Sequence, residues 1–412
     1  MRFSIIKTKT APTVKVESEA SSFFLHSSYD PLKEAQKWVT EKMKSGHTLL
    51  VIGMGAGYHV EELLNTNNSA QIIVYEFNVS YYKWILSTGL IEGVIRNPRV
   101  KYKLLESKED VREFSSLLNN HIYLLRPSLN MVEEKYMKIM REIQSYLITQ
   151  DTIENYAVTL DANFLKNVAL GDPFFKECNF SFKKRMILVS AGPSLYKQLD
   201  NLKKAQKSGS FTIGVVGTAF RPLLKHGLYP DFVMVSDPLD NIIEQFEDLN
   251  NENIPLFYLS TANSKAIFNY QGPRYIVWQK GYKNAEQEAA IRGQTLIETG
   301  GSVATCLLDV MITMGAEQVA LVGQDLAFTN NQSHVEGAHR TRIVHETPNL
   351  LKVRSFDGVS TVSTSRNLFT YLRWFEGYAE SKVNIELWNC TEGGAFIRGF
   401  KNSKFKDFLK FN

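Results

Sequence analysis

Small and hydroxyl-bearing residues follow a run of apolar residues at Met186-Ile-Leu-Val-Ser-Ala-Gly-Pro-Ser-Leu-Tyr. The apolar run predicts a strand, Gly192 lies at the turn, and Pro193 and Ser194 begin the next helix. Proline at a first helical position lacks only an N–H group that would be unbonded there, and the amides after it remain free. Free amides at a helix start bind anions, so this turn is a candidate phosphate site.

Hydroxyl and carboxyl groups also follow the next two predicted strands. Thr218 lies in Gly217-Thr-Ala, while Ser236 and Asp237 lie in Val235-Ser-Asp-Pro. Open sheets of parallel strands place their ligands at the carboxyl ends of those strands. We therefore expect these three residues to share one edge of the sheet with the Gly-Pro-Ser turn.

A second candidate helix start occurs in Glu298-Thr-Gly-Gly-Ser-Val-Ala-Thr-Cys-Leu-Leu-Asp. Gly300, Gly301 and Ser302 precede an apolar helix that we predict to run to about Met314. Small residues and a hydroxyl are again positioned where a phosphate can bind.

An acidic residue and several histidines follow the next predicted strand. The sequence Glu317-Gln-Val-Ala-Leu-Val-Gly-Gln-Asp places Asp325 after a glycine turn. The polar loop 329–347 contains His334, His339 and His345. Histidine is the side chain whose unperturbed pKa suits proton transfer near neutral pH, so His339 and His334 are candidate bases together with Asp325.

A separate glycine turn lies near the N-terminus, in Thr48-Leu-Leu-Val-Ile-Gly-Met-Gly-Ala-Gly-Tyr-His. Glu76 ends the following predicted strand, about twenty residues past Gly53, Gly55 and Gly57. A strand, a glycine turn, a helix and this acid are typical of nucleotide sites. Close packing of a strand on a helix requires glycines as well, so a bound cofactor and a purely structural turn both remain open.

The composition excludes several classes of protein. With 412 residues, 44% of them hydrophobic, the chain can bury more than one core. Lys+Arg total 47 against 43 Asp+Glu, so the net charge requires neither a nucleic-acid nor a membrane partner. Three widely spaced cysteines disfavour disulfide and zinc frameworks, and no stretch is apolar enough to span a bilayer. We expect a cytoplasmic protein.

The alternation of predicted strands and helices indicates an α/β protein of two Rossmann-like domains, the second with a mainly parallel sheet flanked by helices. Its six predicted strands cover 186–190, 212–216, 232–236, 254–259, 275–278 and 319–322. Residues 130–170 read as long amphipathic helices, and Gly171-Asp172-Pro173 interrupts them. We therefore predict an N-terminal domain at 1–175, a catalytic domain at 176–400 and a short tail at 401–412.

Several of these motifs together resemble the motility accessory factors, also called Maf proteins. They are SAGPSL, the VSDP segment, ETGGSVATCLLDVMITMGAEQVALVGQDLAF and NCTEGGA, with LHSSYDPLKEAQKWV, VIGMGAGYHV and YEFN in the first domain. The central domain of that family is similar to the MptE-like proteins and to a group of bacterial sialyltransferases, a GT-A-like variant. Those sialyltransferases favour asparagine where this chain has Ala191, Thr218 and Asp237.

The resemblance implies a flagellin glycosyltransferase that uses a CMP-activated nonulosonic acid, such as legionaminic or pseudaminic acid. By position, Gly192, Pro193 and Ser194 would receive the donor phosphate, and Thr218 and Asp237 would contact phosphate or ribose. Gly301 and Ser302 would close over the nucleotide, and Asp325 would hold the acceptor side or orient a base. CMP is a good leaving group, and the chain has no Asp-x-Asp motif, so no metal is expected.

Two other functions remain open at this point. Archaeal pterin diphosphokinases are similar in the SAGPSL and GGSV regions, and their reaction would need ATP and magnesium. The third possibility is a non-catalytic module that binds flagellin.

Overall fold

The computed structural model describes residues 1–17, 22–42, 47–117, 121–136, 139, 156–246, 253–329, 350–382 and 384–410. The chain divides into two compact units, Met1–Ile143 and Gln144–Asn412. Among the described residues, no helix combines the length and apolar character needed to cross a bilayer.

The first unit contains a three-stranded antiparallel sheet and a four-stranded parallel sheet within its described residues. Its strands are β1 (Arg2–Ile6), β2 (Thr13–Glu17), β3 (Ser22–Phe24), β4 (Thr48–Ile52), β5 (Gln71–Glu76), β6 (Val100–Leu104) and β7 (His121–Leu124). Its helices are α1 (Pro31–Lys42), α2 (Tyr58–Thr66), α3 (Val79–Ser87), α4 (Glu92–Ile95) and α5 (Lys108–Leu117).

The parallel sheet of the first unit has the strand order β6-β5-β4-β7. The chain adds β5 and β6 on one side of β4 and then returns to add β7 on the other side. Apolar side chains of β4, such as Leu49 and Val51, pack with Val60 of α2 and Ile72 of β5 in one core. The reversal of direction creates a crevice at the carboxyl ends of β4 and β7, where such folds bind ligands.

The second unit is built on a nine-stranded sheet in which every described pairing is parallel. Its strands are β8 (Arg185–Val189), β9 (Thr212–Val216), β10 (Phe232–Val235), β11 (Leu256–Leu259), β12 (Arg274–Gln279), β13 (Leu296–Ile297), β14 (Gln318–Val322), β17 (Glu386–Asn389) and β18 (Lys401–Asn402); β15 (Leu351–Arg354) and β16 (Thr361–Thr364) form a separate hairpin. Its helices are α6 (156–169), α7 (Leu199–Ser208), α8 (Gly217–Lys225), α9 (Ser264–Asn269), α10 (Lys283–Arg292), α11 (Val303–Thr313), α12 (Arg366–Ser381) and α13 (Phe405–Lys410).

The strand order β13-β12-β11-β10-β9-β8-β14-β17-β18 also contains one reversal. The chain extends the sheet from β8 to β13, and α11 then carries it back to place β14 on the other side of β8. Gly214 of β9 leaves the space into which Met311 of α11 packs, since a Cβ at Gly214 would lie 2.5 Å from the Met311 Cε atom. The ends of β8 and β14 therefore border the switch-point crevice of this unit.

The prediction of an α/β fold with mainly parallel sheets and flanking helices is confirmed, and all six predicted strands of the second unit are present. β13, β17 and β18 were not predicted. Two of them are only two residues long, so their apolar pattern is too short to read.

The segment 130–136 does not form the α-helix that the apolar pattern predicts. It contains 3-10 turns at Arg126–Met131 and Glu134–Tyr136. The Met131 carbonyl accepts a hydrogen bond from Asn78 (2.8 Å), and the Tyr136 hydroxyl donates to the Leu105 carbonyl. These tertiary contacts hold the turns against β5 and β6, so the apolar side chains are buried without a regular helix.

Residues 156–175, which the sequence analysis assigns to the first domain, pack on the second unit. Leu160 and Phe164 of α6 join its core, and Asn167 donates hydrogen bonds to the carbonyls of Ser260 (3.0 Å) and Ala262 (2.8 Å). Phe174 forms a bridge to Ile276 of β12, beside the part of that strand that β13 does not cover. Backbone and core contacts thus anchor this segment where the sequence shows only a glycine-proline break.

The segment 401–410, predicted as a tail, completes the second unit. Lys401 and Asn402 pair with β17, and Phe405 and Phe408 are buried in the core. The Arg185 guanidinium lies 5.0 Å from the centre of the Phe408 ring and donates a hydrogen bond to its carbonyl. The C-terminal helix therefore docks on the start of β8.

An ion pair at Asp172 provides a test of how the segment before β8 is anchored. Asp172 accepts hydrogen bonds from Arg274 Nη2 (3.1 Å) and the Tyr258 hydroxyl (2.9 Å), and little of its side chain is exposed. We expect Asp172→Ala to lower the free energy of unfolding by about 2 to 4 kcal/mol, because a partly buried charge loses its partner. Urea denaturation of the full chain measures this change.

Glu317→Ala, which removes the exposed ion pair with Lys184, is the control and should lower the free energy of unfolding by less than about 1 kcal/mol. Equal effects of the two variants would contradict the assignment.

Candidate functional site

The Gly-Pro-Ser turn lies directly against the end of β14, as the switch-point topology requires. The Gly192 N–H group donates to the Gly323 carbonyl at 2.7 Å, and the Ser190 N–H group donates to the Val322 carbonyl at 2.9 Å. Pro193–Gln198 forms a 3-10 helix that leads into α7. The structure therefore joins two of the predicted motifs, which are more than a hundred residues apart in sequence.

Asp325 is buried in this junction and is bonded on both carboxylate oxygens. Oδ1 accepts from the Ser194 hydroxyl, while Oδ2 accepts from the Thr329 hydroxyl (2.6 Å) and the Ser194 N–H group (3.2 Å). Burial raises the pKa of Asp325, and the bonds from Ser194 and Thr329 oppose that shift. The carboxylate thus occupies the anion position that the sequence analysis assigns to a donor phosphate at Ser194.

The NCTEGGA segment, residues 389–395, contacts the backbone of Asp325. The Ala395 N–H group donates to the Asp325 carbonyl at 2.8 Å. Gly394 has a φ of 69°, and a Cβ at that position would lie 2.1 Å from the Asp325 carbonyl oxygen. Only glycine fits such a close approach with a positive φ. Sequence reasoning did not identify Thr329 or Gly394 as site residues, although Gly394 belongs to the NCTEGGA motif.

The ends of β9 and β10 contribute the half-buried residues Thr218, Ser236 and Asp237. Asp237 Oδ1 accepts a hydrogen bond from the Leu239 N–H group at 2.9 Å, and the Asp237 carbonyl accepts from Asn263. These bonds fix the turn after β10 and leave the second carboxylate oxygen without a hydrogen bond among the described residues. Because β8, β9 and β10 are adjacent and parallel, their carboxyl ends share one edge with Ser194.

Gly300, Gly301 and Ser302 form the start of α11. Ser302 is the N-cap, and its hydroxyl accepts from the Thr305 N–H group at 3.4 Å. The Gly300 N–H group donates to the Thr305 hydroxyl at 2.9 Å. Gly301 is exposed, and the amides of Val303 and Ala304 belong to the first helical turn, where no intrahelical acceptor exists. This helix start is open to an anion.

Two aromatic residues of α12 connect the β10 and α11 parts of the edge. Burial, together with the negative charge of Asp237, raises the pKa of Tyr371. The Trp374 ring covers Gly300, where a Cβ would lie 2.4 Å from its Cγ atom. The spacing of three between Tyr371 and Trp374 places them on one helical face, but only the fold brings that face to the edge.

The predicted site residues therefore fall into two groups along one sheet edge. Gly192, Pro193, Ser194 and Asp325 form the first group at the switch point; Thr218, Ser236, Asp237, Gly300, Gly301 and Ser302 form the second. The candidate bases His334 and His339 lie outside the described residues, as does the rest of 330–349. Ser190, at the end of β8, has a buried hydroxyl without a hydrogen-bond partner among the described residues.

The glycine turn of the first unit is filled by the protein's own side chains. The Ala56 N–H group donates to His26 Nε2 at 2.9 Å, and a Cβ at Gly55 would lie 2.4 Å from the same nitrogen. At Gly53 a Cβ would lie 2.1 Å from the Ser128 hydroxyl oxygen. These contacts favour the structural interpretation of the turn.

Glu76 is also buried inside the first unit. One oxygen accepts from the Phe77 N–H group at 3.1 Å and the other from the Met54 N–H group at 3.5 Å. Burial raises the pKa of Glu76 to about 7, and these backbone bonds oppose the shift. The carboxylate therefore closes the glycine turn from within.

Taken together, the fold and the site define an α/β protein of two Rossmann-like units with its open polar residues on one edge of the larger sheet. Residues 2–84 match the family model described as the glycosyltransferase Maf N-terminal domain, and residues 159–331 match the model described as 6-hydroxymethylpterin diphosphokinase MptE-like. These two matches confirm the resemblance: the first part of the chain is similar to the Maf N-terminal domain, and its central part is similar to the MptE-like proteins.

A solved structure described as the Maf glycosyltransferase from Magnetospirillum magneticum AMB-1 is similar in fold. It is 17% identical, with a TM-score of 0.50 over 90% of this chain. The match covers 61% of the Magnetospirillum chain, so this chain spans less than two thirds of that protein. No curated protein matches the sequence.

The close approach at Gly192 gives a test of the junction between β8 and β14. A Cβ at Gly192 would lie 2.4 Å from both Asp325 Oδ1 and the Gly323 carbonyl oxygen. Because Gly323 directly follows β14, a shift of its carbonyl would also displace the end of that strand. We expect Gly192→Ala to lower the free energy of unfolding by about 2 to 4 kcal/mol. Gly93→Ala, where no atom lies within 4 Å, is the control and should be neutral or slightly stabilising. Thermal unfolding compares the two, and a Gly192→Ala variant as stable as the wild type would refute this close approach.

The buried Glu76 carboxyl predicts a pH dependence of stability. Its pKa is about 7 in the folded chain and close to 4.5 when unfolded, so only the folded state holds the proton between these values. Stability is therefore lost as pH rises from about 4.5 to 7. Glu76→Gln should gain about 2 to 3 kcal/mol relative to the wild type across that window.

Hydrogen exchange of peptides from 48–76 in urea, compared at pH 5 and pH 8 after correction for intrinsic exchange rates, measures this difference within the first unit. The comparison between variant and wild type cancels the opposite contribution of His59, whose pKa burial lowers to about 3. Glu92→Gln, at an exposed glutamate of the same unit, should give no pH-dependent difference. A Glu76→Gln difference that is constant with pH would show that Glu76 is ionised throughout.

Proposed function

We propose that the chain is a glycosyltransferase that moves a nonulosonic acid from a CMP donor to a Ser or Thr hydroxyl of flagellin. The match of residues 2–84 to the Maf N-terminal domain and the description of the similar solved structure as a glycosyltransferase support the reaction class. The observation that carries the proposal is the start of α11, with Gly301 exposed, on the same sheet edge as the Gly-Pro-Ser turn and Asp237.

The donor phosphate lies at the start of α11 in this proposal. Two anion positions exist along the edge, and the Asp325 carboxylate already fills the one at Ser194. The amides after Ser302 and the exposed Gly301 remain free to bind a monophosphate. Thr218, Ser236 and Asp237 then face the ribose hydroxyls, since carboxylate and hydroxyl groups pair well with vicinal diols.

Asp325 is a positioning residue in this arrangement rather than the base. Both of its oxygens are bonded within the protein, and its side chain is buried. It holds the Gly192–Ser194 turn and Thr329, the last described residue before the loop that contains His334 and His339. We assign the base to His339, with His334 as the second candidate.

The reaction then proceeds by displacement at the anomeric carbon. The bond between this carbon and the CMP phosphate oxygen breaks, and the flagellin hydroxyl oxygen forms the new bond. The hydroxyl proton passes to the histidine, and CMP leaves with its charge stabilised by the α11 amides. A monophosphate leaving group requires no metal for this step.

A second candidate function, phosphoryl transfer to a pterin from ATP and magnesium, is favoured by the MptE-like match at 159–331. The two functions differ in the nucleotide bound. Flagellin of unchanged intact mass in cells that lack this protein would argue against glycosylation, whereas a nonulosonic-acid mass difference would support it.

A charge placed at Gly301 tests the phosphate position. We expect the wild type to bind CMP, and Gly301→Asp to weaken binding about tenfold or more, because a carboxylate then faces the phosphate. Gly301→Asn has the same shape and the same backbone cost at φ 86°, so it is the matched neutral control. Isothermal titration with CMP, and separately with ATP and magnesium, measures both.

Equal CMP affinity in the Asp and Asn variants would remove α11 from the phosphate site. Binding of ATP with magnesium but not of CMP would favour the pterin function. A chain that binds neither nucleotide would instead support the non-catalytic flagellin-binding module.

A further inference from the structure

The α6 helix presents an apolar stripe to the solvent, directly opposite the face that it buries. Leu160, Asn163, Phe164 and Asn167 form the buried face. The stripe consists of four exposed residues at successive spacings of four, three and four: Val158, Ala162, Leu165 and Ala169. Val158 and Leu165 are 85% and 69% exposed. Single apolar residues on a surface are ordinary, but an aligned row along a helix marks an interaction surface.

The spacing of the stripe is that of the a and d positions of a coiled coil. Val158 and Leu165 occupy d positions, and Ala162 and Ala169 occupy a positions. The stripe therefore matches another helix that carries the same repeat, rather than a flat surface or an extended strand. The alanines at a fill little space, so Val158 and Leu165 at d supply most of the apolar contact.

The charges beside the stripe specify the partner and its direction. Asp161 is at a g position on one flank, and Lys166 is at an e position on the other. In a parallel pair, a g residue faces the e residue five positions later on the other helix. Asp161 therefore faces Lys166 of a second copy, and the two-fold axis generates this pair twice. In an antiparallel pair that overlays the two stripes, Asp161 would face Val168 and Lys166 would face Thr159, so neither charge would gain a partner.

Both charged side chains are available for this contact. Asp161 Oδ1 accepts from the Tyr282 hydroxyl at 2.5 Å, which fixes the side chain and leaves Oδ2 without a hydrogen bond among the described residues. Lys166 is exposed and has no ion pair within the part of the chain that the structure describes.

We propose that the chain forms a parallel two-fold dimer in which α6 of one copy packs in register against α6 of the other. The described part of α6, residues 156–169, spans about 20 Å, and we expect a weak dimer with a dissociation constant on the order of 10–100 μM. The inference does not depend on the proposed transferase function.

A disulfide trap tests the register. Under mild oxidation, Leu165→Cys should link to its own copy, because a d residue faces the same d residue in a parallel pair. Ala157→Cys, exposed but off the stripe, is the matched control, and the wild type gives the background from Cys178, Cys306 and Cys390. Dimer yields for Leu165→Cys no higher than for Ala157→Cys would overturn the proposal. Preferential linking of Leu165→Cys to Ala162→Cys in a mixture would overturn the parallel direction.

Charge exchange tests the flanking pairs in the full chain. Asp161→Lys and Lys166→Asp should each weaken self-association about threefold to tenfold in sedimentation equilibrium, and the double variant should restore it. Tyr282→Phe controls for the hydroxyl that Asp161 loses. A chain that remains monomeric throughout the micromolar range, or a double variant no better than the singles, would refute the dimer.

Discussion

A buried carboxylate holds together the two halves of the large sheet. Asp325 follows β14, and its side chain accepts bonds from Ser194, which follows β8, and from Thr329. β8 and β14 are neighbours in the sheet but are far apart in sequence. They become neighbours because α11 leads the chain back from β13 to the other side of β8. Burying a carboxylate without hydrogen bonds costs free energy of folding. Asp325 can therefore be buried here because Ser194 and Thr329 donate hydrogen bonds to it. The geometry of the whole carboxyl edge depends on this junction.

The two units have the same topological feature but treat it differently. In the first unit, His26 and Ser128 fill the space beside the glycine turn, and Glu76 closes it from within. In the second, the junction at Ser194 is filled, yet the start of α11 a few strands away stays open. The space beside the glycine turn of the first unit is thus filled, whereas the edge of the second unit keeps half-buried polar residues and an exposed glycine, Gly301.

The sequence predicts those features whose signal is local. The strands of the second unit are long buried runs, and their glycine and hydroxyl endings locate one edge in advance. The bond between Asp325 and Ser194 could not be predicted, because 131 positions separate them and only the strand order makes them neighbours. The position of Tyr371 and Trp374 at this edge could not be predicted for the same reason, since an aromatic helical face gives no sign of what it covers. Residues 156–175 were assigned to the first domain because Gly171-Asp172-Pro173 was read as the domain boundary. Such a break marks a change of chain direction, whereas the contacts of the segment decide which core it joins.

The pairing of β14 between β8 and β17 has a consequence for synthesis on the ribosome. Gly394 and Ala395 contact Asp325, and the Phe408 carbonyl binds Arg185, so residues translated well after β14 complete a sheet begun more than two hundred positions earlier. A nascent chain that has emerged only as far as β14 has an unpaired strand edge and an incompletely enclosed Asp325. Such an edge is a site for pairing with other chains, so the interval before the C-terminal helix docks is when a chaperone is most useful.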